Sequence, residues 1–239
     1  PVAQPEFGGN ELAYVSDCIQ TGWVSSKGKY VKKFEDSFAY YIDASNTLAV
    51  SNGTVALHLA LVTLGVGPGD EVLIPDLTFA ATANAVIYVG ATPVLVDIDP
   101  DTLCIDPIKS AAAITSKTRA IIPVHLYGHP ADMNAISALA SKHALYVIED
   151  CAEALGTRFN GKHVGTFGDA AIFSFFGNKT ITTGEGGMAV FKEEVMYEKA
   201  NILRDHGMDP ERRYWHKEVG FNYRMTNIQA AIGVAQLER

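Results

Sequence analysis

From about residue 48 the hydrophobic positions fall into two alternating rhythms. Residues 55–64 are apolar almost all round, which predicts a buried helix, and Gly65 follows as its stop. Residues 71–77, 92–98, 119–126 and 145–151 are short runs rich in β-branched residues, and they read as strands. Between them lie helical patterns over 80–89, 107–114 and 133–143, the last with Asp132 as its N-cap. Strands separated by helices of this length imply βαβ units. They predict an α/β fold with a mostly parallel central sheet and helices on both faces.

Beyond residue 170 the rhythm changes. Residues 171–176 and 188–192 read as strands flanking 177–187, which holds Gly184-Glu185-Gly186-Gly187. Those glycines permit a tight turn, so a hairpin-like excursion is expected there. A helix is expected over 195–206, and another over 225–239 that stops without a cap. The chain shows no internal repeat and no low-complexity linker, and residues 1–239 read as one large domain with its N-terminal segment. The missing initiator Met and the uncapped last helix make a fragment the expectation.

Composition narrows the class. Hydrophobic residues make up 48% and charged residues 19%, a globular balance. Nineteen basic against 27 acidic side chains leave a net charge of -8, which argues against nucleic acid as a partner. The three cysteines, Cys18, Cys104 and Cys151, are far apart and form no CxxC pair. No leader pattern and no run of membrane-spanning length is present, so a reduced, cytoplasmic protein without a membrane partner is expected.

Three elements carry possible chemistry. Ser51-Asn52-Gly53-Thr54 precedes the apolar helix, where free N–H groups and the helix dipole favour an anion; taken alone, it is better read as an ordinary cap. Glu149-Asp150-Cys151-Ala152-Glu153 closes a buried strand, at the edge where open α/β sheets place ligands. A carboxylate there needs a cation, and a protonated heterocyclic nitrogen suits Asp150 better than a metal. His125 and His129 are four apart across Tyr127-Gly128, a turn, so no metal site is expected. An Asp capping the next helix is the plainer reading. Lastly, Lys179 stands alone among aromatics, threonines and glycines in residues 174–187. A partly desolvated lysine is a usable nucleophile toward an aldehyde, whereas most lysines are solvated.

The combination resembles a known family: the DegT/DnrJ/EryC1/StrS sugar aminotransferases, fold-type-I enzymes dependent on pyridoxal 5'-phosphate. The resemblance runs from Trp23-Val24-Ser25-Ser26-Lys27-Gly28 through SNGTVAL, EDCAEA and FSFFGNKTITTGEGGM to GFNYRMT, essentially the whole chain. It implies that Lys179 forms the Schiff base and serves as the catalytic acid–base. Asp150 would pair with the pyridine nitrogen and Phe79 would stack on the ring. Gly53, Thr54 and Ser174 would hold the phosphate, and Asn222 would reach the phosphate of a neighbouring subunit, making a homodimer with a shared active site. Many members have Gln where this chain has Glu153. A carboxylate beside the ring's 3-oxygen needs a shared proton or a cationic neighbour.

The resemblance also implies a smaller C-terminal domain beyond residue 239. The reaction it implies moves an amino group from glutamate to C4 of a nucleotide-linked 4-keto sugar. FSFFGNKTITTGEGGM, Tyr214-Trp215-His216 and HLYGHP are most similar to members that aminate GDP-4-keto-6-deoxymannose in O-antigen biosynthesis. A UDP- or dTDP-linked substrate is an alternative. So is a sugar dehydratase of the same fold, although those carry histidine where Lys179 stands. A cofactor-binding regulator without activity is disfavoured by the intact Lys179 and Asp150.

Overall fold

The computed structural model describes residues 3–239. Two helices precede the alternation, α1 (Glu11–Thr21) and α2 (Lys29–Ile42). In α2 the positions Tyr30, Phe34, Phe38 and Ile42 recur every fourth residue and are buried, so an amphipathic signal is present there. The chain then runs β1 (Asn46–Val50), α3 (Gly53–Thr63), β2 (Glu71–Pro75), α4 (Ala80–Tyr88), β3 (Thr92–Val96), α5 (Pro107–Ala113), β4 (Thr118–Ile121), α6 (Met133–His143) and β5 (Tyr146–Asp150). A small hairpin, β6 (Arg158–Phe159) and β7 (Lys162–His163), follows. After it come β8 (Ala170–Ser174), β9 (Gly187–Phe191), α7 (Glu194–Arg204) and α8 (Asn227–Leu237).

Seven strands form one sheet in the order β1-β9-β8-β5-β4-β2-β3. All neighbours pair parallel except those of β9, which is antiparallel to both β1 and β8. The excursion expected between 177 and 187 is thus the return that brings β9 back beside β8. The strand expected over 119–126 ends at Ile121 instead. Pro123 has no N–H for a ladder, and the chain passes into a tight turn at Leu126–Gly128.

Alternation along the strands divides the core. Leu48, Val50, Ala170, Ile172, Ala189 and Phe191 join the buried residues of α3, while Ala49, Ala171, Phe173, Met188 and Val190 join Phe34, Phe38 and Val234 on the opposite face. β1, β8 and β9 therefore bury both faces, and α3 is apolar all round because it is enclosed by the sheet and by α4 and α7. The Arg204 guanidinium fastens the far edge, 2.7 Å from Glu35 and 2.8 Å from the Ala49 carbonyl. The same Glu35 oxygen accepts the Ala49 N–H at 2.9 Å, so one carboxylate joins α2, β1 and α7.

Candidate active site

The C-terminal end of β5 delivers Asp150, whose backbone is held from both sides: its N–H donates to the Pro123 carbonyl and its carbonyl accepts from His125. Its carboxylate accepts from the Thr82 hydroxyl at 2.9 Å and from the Ala152 N–H at 3.1 Å. Thr82 sits in the first turn of α4 and is itself 2.9 Å from the Thr78 hydroxyl. Among the described residues no cation lies within ion-pair distance of Asp150. Burial pushes its carboxyl up from the usual carboxylate range, against the pull of those two hydrogen bonds. Asp150 is a buried carboxyl group whose ionised form burial disfavours.

One residue before the same helix, Phe79 is in extended backbone, and its ring is 75% exposed. An aromatic so exposed, three residues from the hydroxyl that orients Asp150, offers a face to a flat ligand.

A third part is the start of α3. Asn52 caps it by accepting the Val55 N–H at 3.0 Å, which leaves the N–H groups of Gly53 and Thr54 at the helix end. Here the ends of β8 and β9 press against the helix. A Cβ on Gly53 would lie 3.0 Å from the Ser174 Cβ, and one on Gly187 would lie 2.6 Å from the Asn52 carbonyl carbon. Glycine at both positions lets Ser174 reach the helix end. Ser174, far from Gly53 and Thr54 in sequence, is thereby brought to the helix start that bears them, an arrangement suited to an anion.

Lys179 follows β8. Its Nζ lies 3.3 Å from Glu153 Oε1, and the other Glu153 oxygen accepts the Tyr127 N–H at 3.0 Å. Glu153 thus has the cationic neighbour its chemistry calls for. Tyr127 holds a left-handed conformation, φ 51°, a strained position for a bulky residue beside a site. A cavity of about 500 Å³ opens at Lys179, with Thr180 and Ile181 in its wall. A larger one, about 1280 Å³, lies between α2 and the β6–β7 hairpin and touches none of the predicted site residues.

Asn222 stands apart from the other predicted residues. It is exposed and lies on a segment bridged to Val50 and Asp205, and its Oδ1 accepts from Arg224 at 3.0 Å. It does not cap the last helix: Thr226 does, in a reciprocal capping box with Gln229.

Sequence reasoning missed Thr82, the Tyr127 N–H and the role of Glu149. The Glu149 carboxylate accepts from the N–H groups of Gly165, Phe167 and Gly168 at 2.7–2.8 Å, with His125 Nε2 at 3.1 Å. His125 Nδ1 accepts the Ala131 N–H, so Nε2 carries the proton toward Glu149. Glu149, His125 and Cys151 place ligand-type atoms within 4.8 Å of one another, but these bonds already occupy the first two. Burial also pushes the Cys151 thiol well up. The cluster is a structural knot beneath Asp150. No local signal separates Glu149 from Asp150; strand alternation alone puts them on opposite sides.

The model of the DegT/DnrJ/EryC1/StrS aminotransferase family matches residues 5–239. The chain is 57% identical to GDP-perosamine synthase of Caulobacter vibrioides, with 100% of this chain and 64% of that protein covered. It is 54% identical to GDP-perosamine synthase of Escherichia coli O157:H7, covering 100% and 66%. The PLP form of a Streptococcus pneumoniae protein assigned as a sugar aminotransferase superposes with a TM-score of 0.94 at 34% identity, covering 100% of this chain and 66% of that one. The chain therefore spans just under two thirds of the length of these relatives.

Proposed function

This chain belongs to the DegT/DnrJ/EryC1/StrS aminotransferase family, and from that premise we propose that it forms the cofactor-binding domain of an enzyme that transfers an amino group from glutamate to C4 of GDP-4-keto-6-deoxymannose. The observation that supports the reading is that β5 and β8 are neighbours in the sheet, so that the strand end bearing Asp150 lies beside the one bearing Ser174, which meets the start of α3 and leads to Lys179. Identity to GDP-perosamine synthases supports the choice of substrate.

The residues fit pyridoxal phosphate. Asp150 lacks a cation, which a protonated pyridine nitrogen provides, and Gly53, Thr54 and Ser174 suit the phosphate. Phe79 offers a face to the ring. When bound, the cofactor supplies an aldehyde for amines and a protonated ring that draws electrons from the adjoining carbon. Lys179 holds it through Nζ. With the cofactor bound, the Lys179 amine would take the proton from glutamate Cα and later deliver one to C4 of the sugar. Glu153 keeps the Nζ near its working position from one side. Thr82 and the Ala152 N–H fix the Asp150 carboxylate, which would pair with the ring nitrogen.

Supplying the full-length protein with glutamate and GDP-, UDP- or dTDP-linked 4-keto sugars tests the substrate; amination of the GDP sugar is expected to exceed the others. Borohydride reduction followed by peptide mapping tests the lysine. The label is expected on Lys179, with Lys179→Ala unlabelled and without turnover; a label on any other lysine rejects the assignment.

A further inference from the structure

His125 takes no part in the proposed transfer, yet it is fully buried and both of its ring nitrogens are bonded. Its bond to Glu149 does not account for it. The Glu149 carboxylate already accepts three backbone N–H groups at 2.7–2.8 Å, and donors of that kind hold an ionised carboxylate by themselves.

The other ring nitrogen does what no neighbour duplicates. Nδ1 accepts the Ala131 N–H at 3.1 Å, a bond that joins the two ends of residues 125–131. The loop so closed contains two successive residues in the left-handed region, Tyr127 at φ 51° and Gly128 at φ 81°. Glycine adopts that region freely, whereas tyrosine stays there only under constraint. One constraint is the Thr157 hydroxyl, which donates to the Gly128 carbonyl at 2.9 Å. The imidazole supplies another. Held this way, the Tyr127 N–H reaches Glu153 Oε2 at 3.0 Å, and Glu153 Oε1 stands 3.3 Å from Lys179 Nζ. The main chain of the same segment grips Asp150, with the His125 N–H on its carbonyl at 3.0 Å and the Pro123 carbonyl on its N–H at 2.9 Å.

We infer that His125 is a positioning residue: by closing the loop over residues 125–131 it directs the Tyr127 N–H to Glu153, and so sets Glu153 against Lys179. This rests on the pyridoxal-phosphate reading of Lys179 and names the group that fixes the neighbour of its amine. Being fully buried, His125 acts through Glu153 and touches no substrate.

Two substitutions separate the ring nitrogens. An asparagine oxygen falls near the place of Nδ1, and a glutamine amide nitrogen near that of Nε2. His125→Asn therefore keeps an acceptor for Ala131, whereas His125→Gln keeps a donor for Glu149 and leaves the loop open. The measurement is the pH at which the visible absorbance of the bound cofactor changes in the full-length, cofactor-loaded protein, which reports the proton on the Lys179 nitrogen. A carboxylate beside that nitrogen favours its charged form, so Glu153→Gln should lower the midpoint. His125→Gln should lower it as well, by about half a pH unit or more, and cut kcat about tenfold with little change in KM for the sugar. His125→Asn should recover most of both losses. In a Glu153→Gln background, His125→Gln should move the midpoint no further, because the group it positions no longer carries charge.

Hydrogen exchange over residues 126–131 in the cofactor-free protein reads the loop directly and should be faster in His125→Gln than in His125→Asn. Should His125→Gln fail to fold, Ala131→Pro removes the donor with His125 in place and is expected to shift the midpoint in the same direction. An unmoved midpoint in the loop-opening variant, with kcat within about twofold, overturns the inference. So does a full-sized shift in the Glu153→Gln background, or equal damage from asparagine and glutamine, which would make His125 a packing residue. An unaltered protein that forms no coloured complex with pyridoxal phosphate would defeat the proposed function instead, and the exchange comparison would still support or refute the closed loop.

Discussion

Asp150 shows how a single residue can be set against the stability of its own fold. Its carboxyl is pushed up by burial, so the folded chain holds that proton more tightly than the unfolded chain. Such a group favours the folded state in acid, and the benefit is lost as pH rises from roughly 4, the unfolded value, through the raised folded one. Above that raised value the cofactor-free protein carries a buried charge that its surroundings solvate poorly. Asp150→Asn should raise the melting temperature of the cofactor-free form at pH 7, by about 2–4 °C for each kcal/mol relieved. The Thr82 hydroxyl can turn to accept from the new amide. The effect should shrink toward pH 4, and differential scanning calorimetry at the two pH values measures it. The same variant, loaded with cofactor, should keep its colour and lose most of its turnover; near-normal turnover would mean another group supports the ring nitrogen.

At the scale of elements, strand ends and helix starts are fastened to one another by a few polar groups. Glu35 and Arg204 are the clearest case, because their side chains are only 9% and 13% exposed and they join three elements. Glu35→Ala should cost about 3–5 kcal/mol in urea unfolding, since it strands the Arg204 charge. Replacing both residues by apolar ones should cost less than the sum of the single changes. The cradle depends on a closer fit. Gly187→Ala would drive a methyl into the backbone at Asn52 and part β9 from the first turn of α3. The expected outcome is weaker retention of pyridoxal phosphate on dialysis, while pyridoxal, which lacks the phosphate, is retained about as before. Equal loss of both would place the phosphate elsewhere.

For the whole molecule, the geometry leaves Asn222 unused within its own chain. It is exposed, its Oδ1 is held by Arg224, and among the described residues its amide nitrogen has no partner. An exposed amide so placed is free to donate to a second subunit, as the proposed shared site requires. Mixing inactive Lys179→Ala chains with inactive Asn222→Asp chains should restore part of the activity, because one of the two sites in a mixed dimer has both native residues. Mixed-dimer formation is checked by tagging one chain. Demonstrated mixed dimers with no activity, or a full-length monomer that turns over, would sink the shared site.

The alternation of strands and helices was legible because burial on both faces writes a long apolar run into α3 and short ones into β2 and β5, whereas β1, with Asn46 and Thr47, was not among the expected strands. Those runs, with the motifs around Gly53, Asp150 and Lys179, determined the fold class and the family resemblance. The helix cap at Asp132 is local chemistry too and falls where Asp precedes a helical pattern, whereas Thr226 caps a helix that begins two residues later than the pattern had it. What sequence could not decide depends on contacts between distant segments. That Ser174 meets Gly53 follows from the pairing of β8 with β9, and that Thr82 orients Asp150 follows from α4 crossing the end of β5. Glu153 gains its cation only because the turn after β8 returns Lys179 to it. The crossing of Gly207 and Gly220 brings together residues 13 positions apart with no periodic signal between them. Local pattern records which face of an element is buried; which atoms then meet is set by packing, where sequence distance no longer measures distance in space.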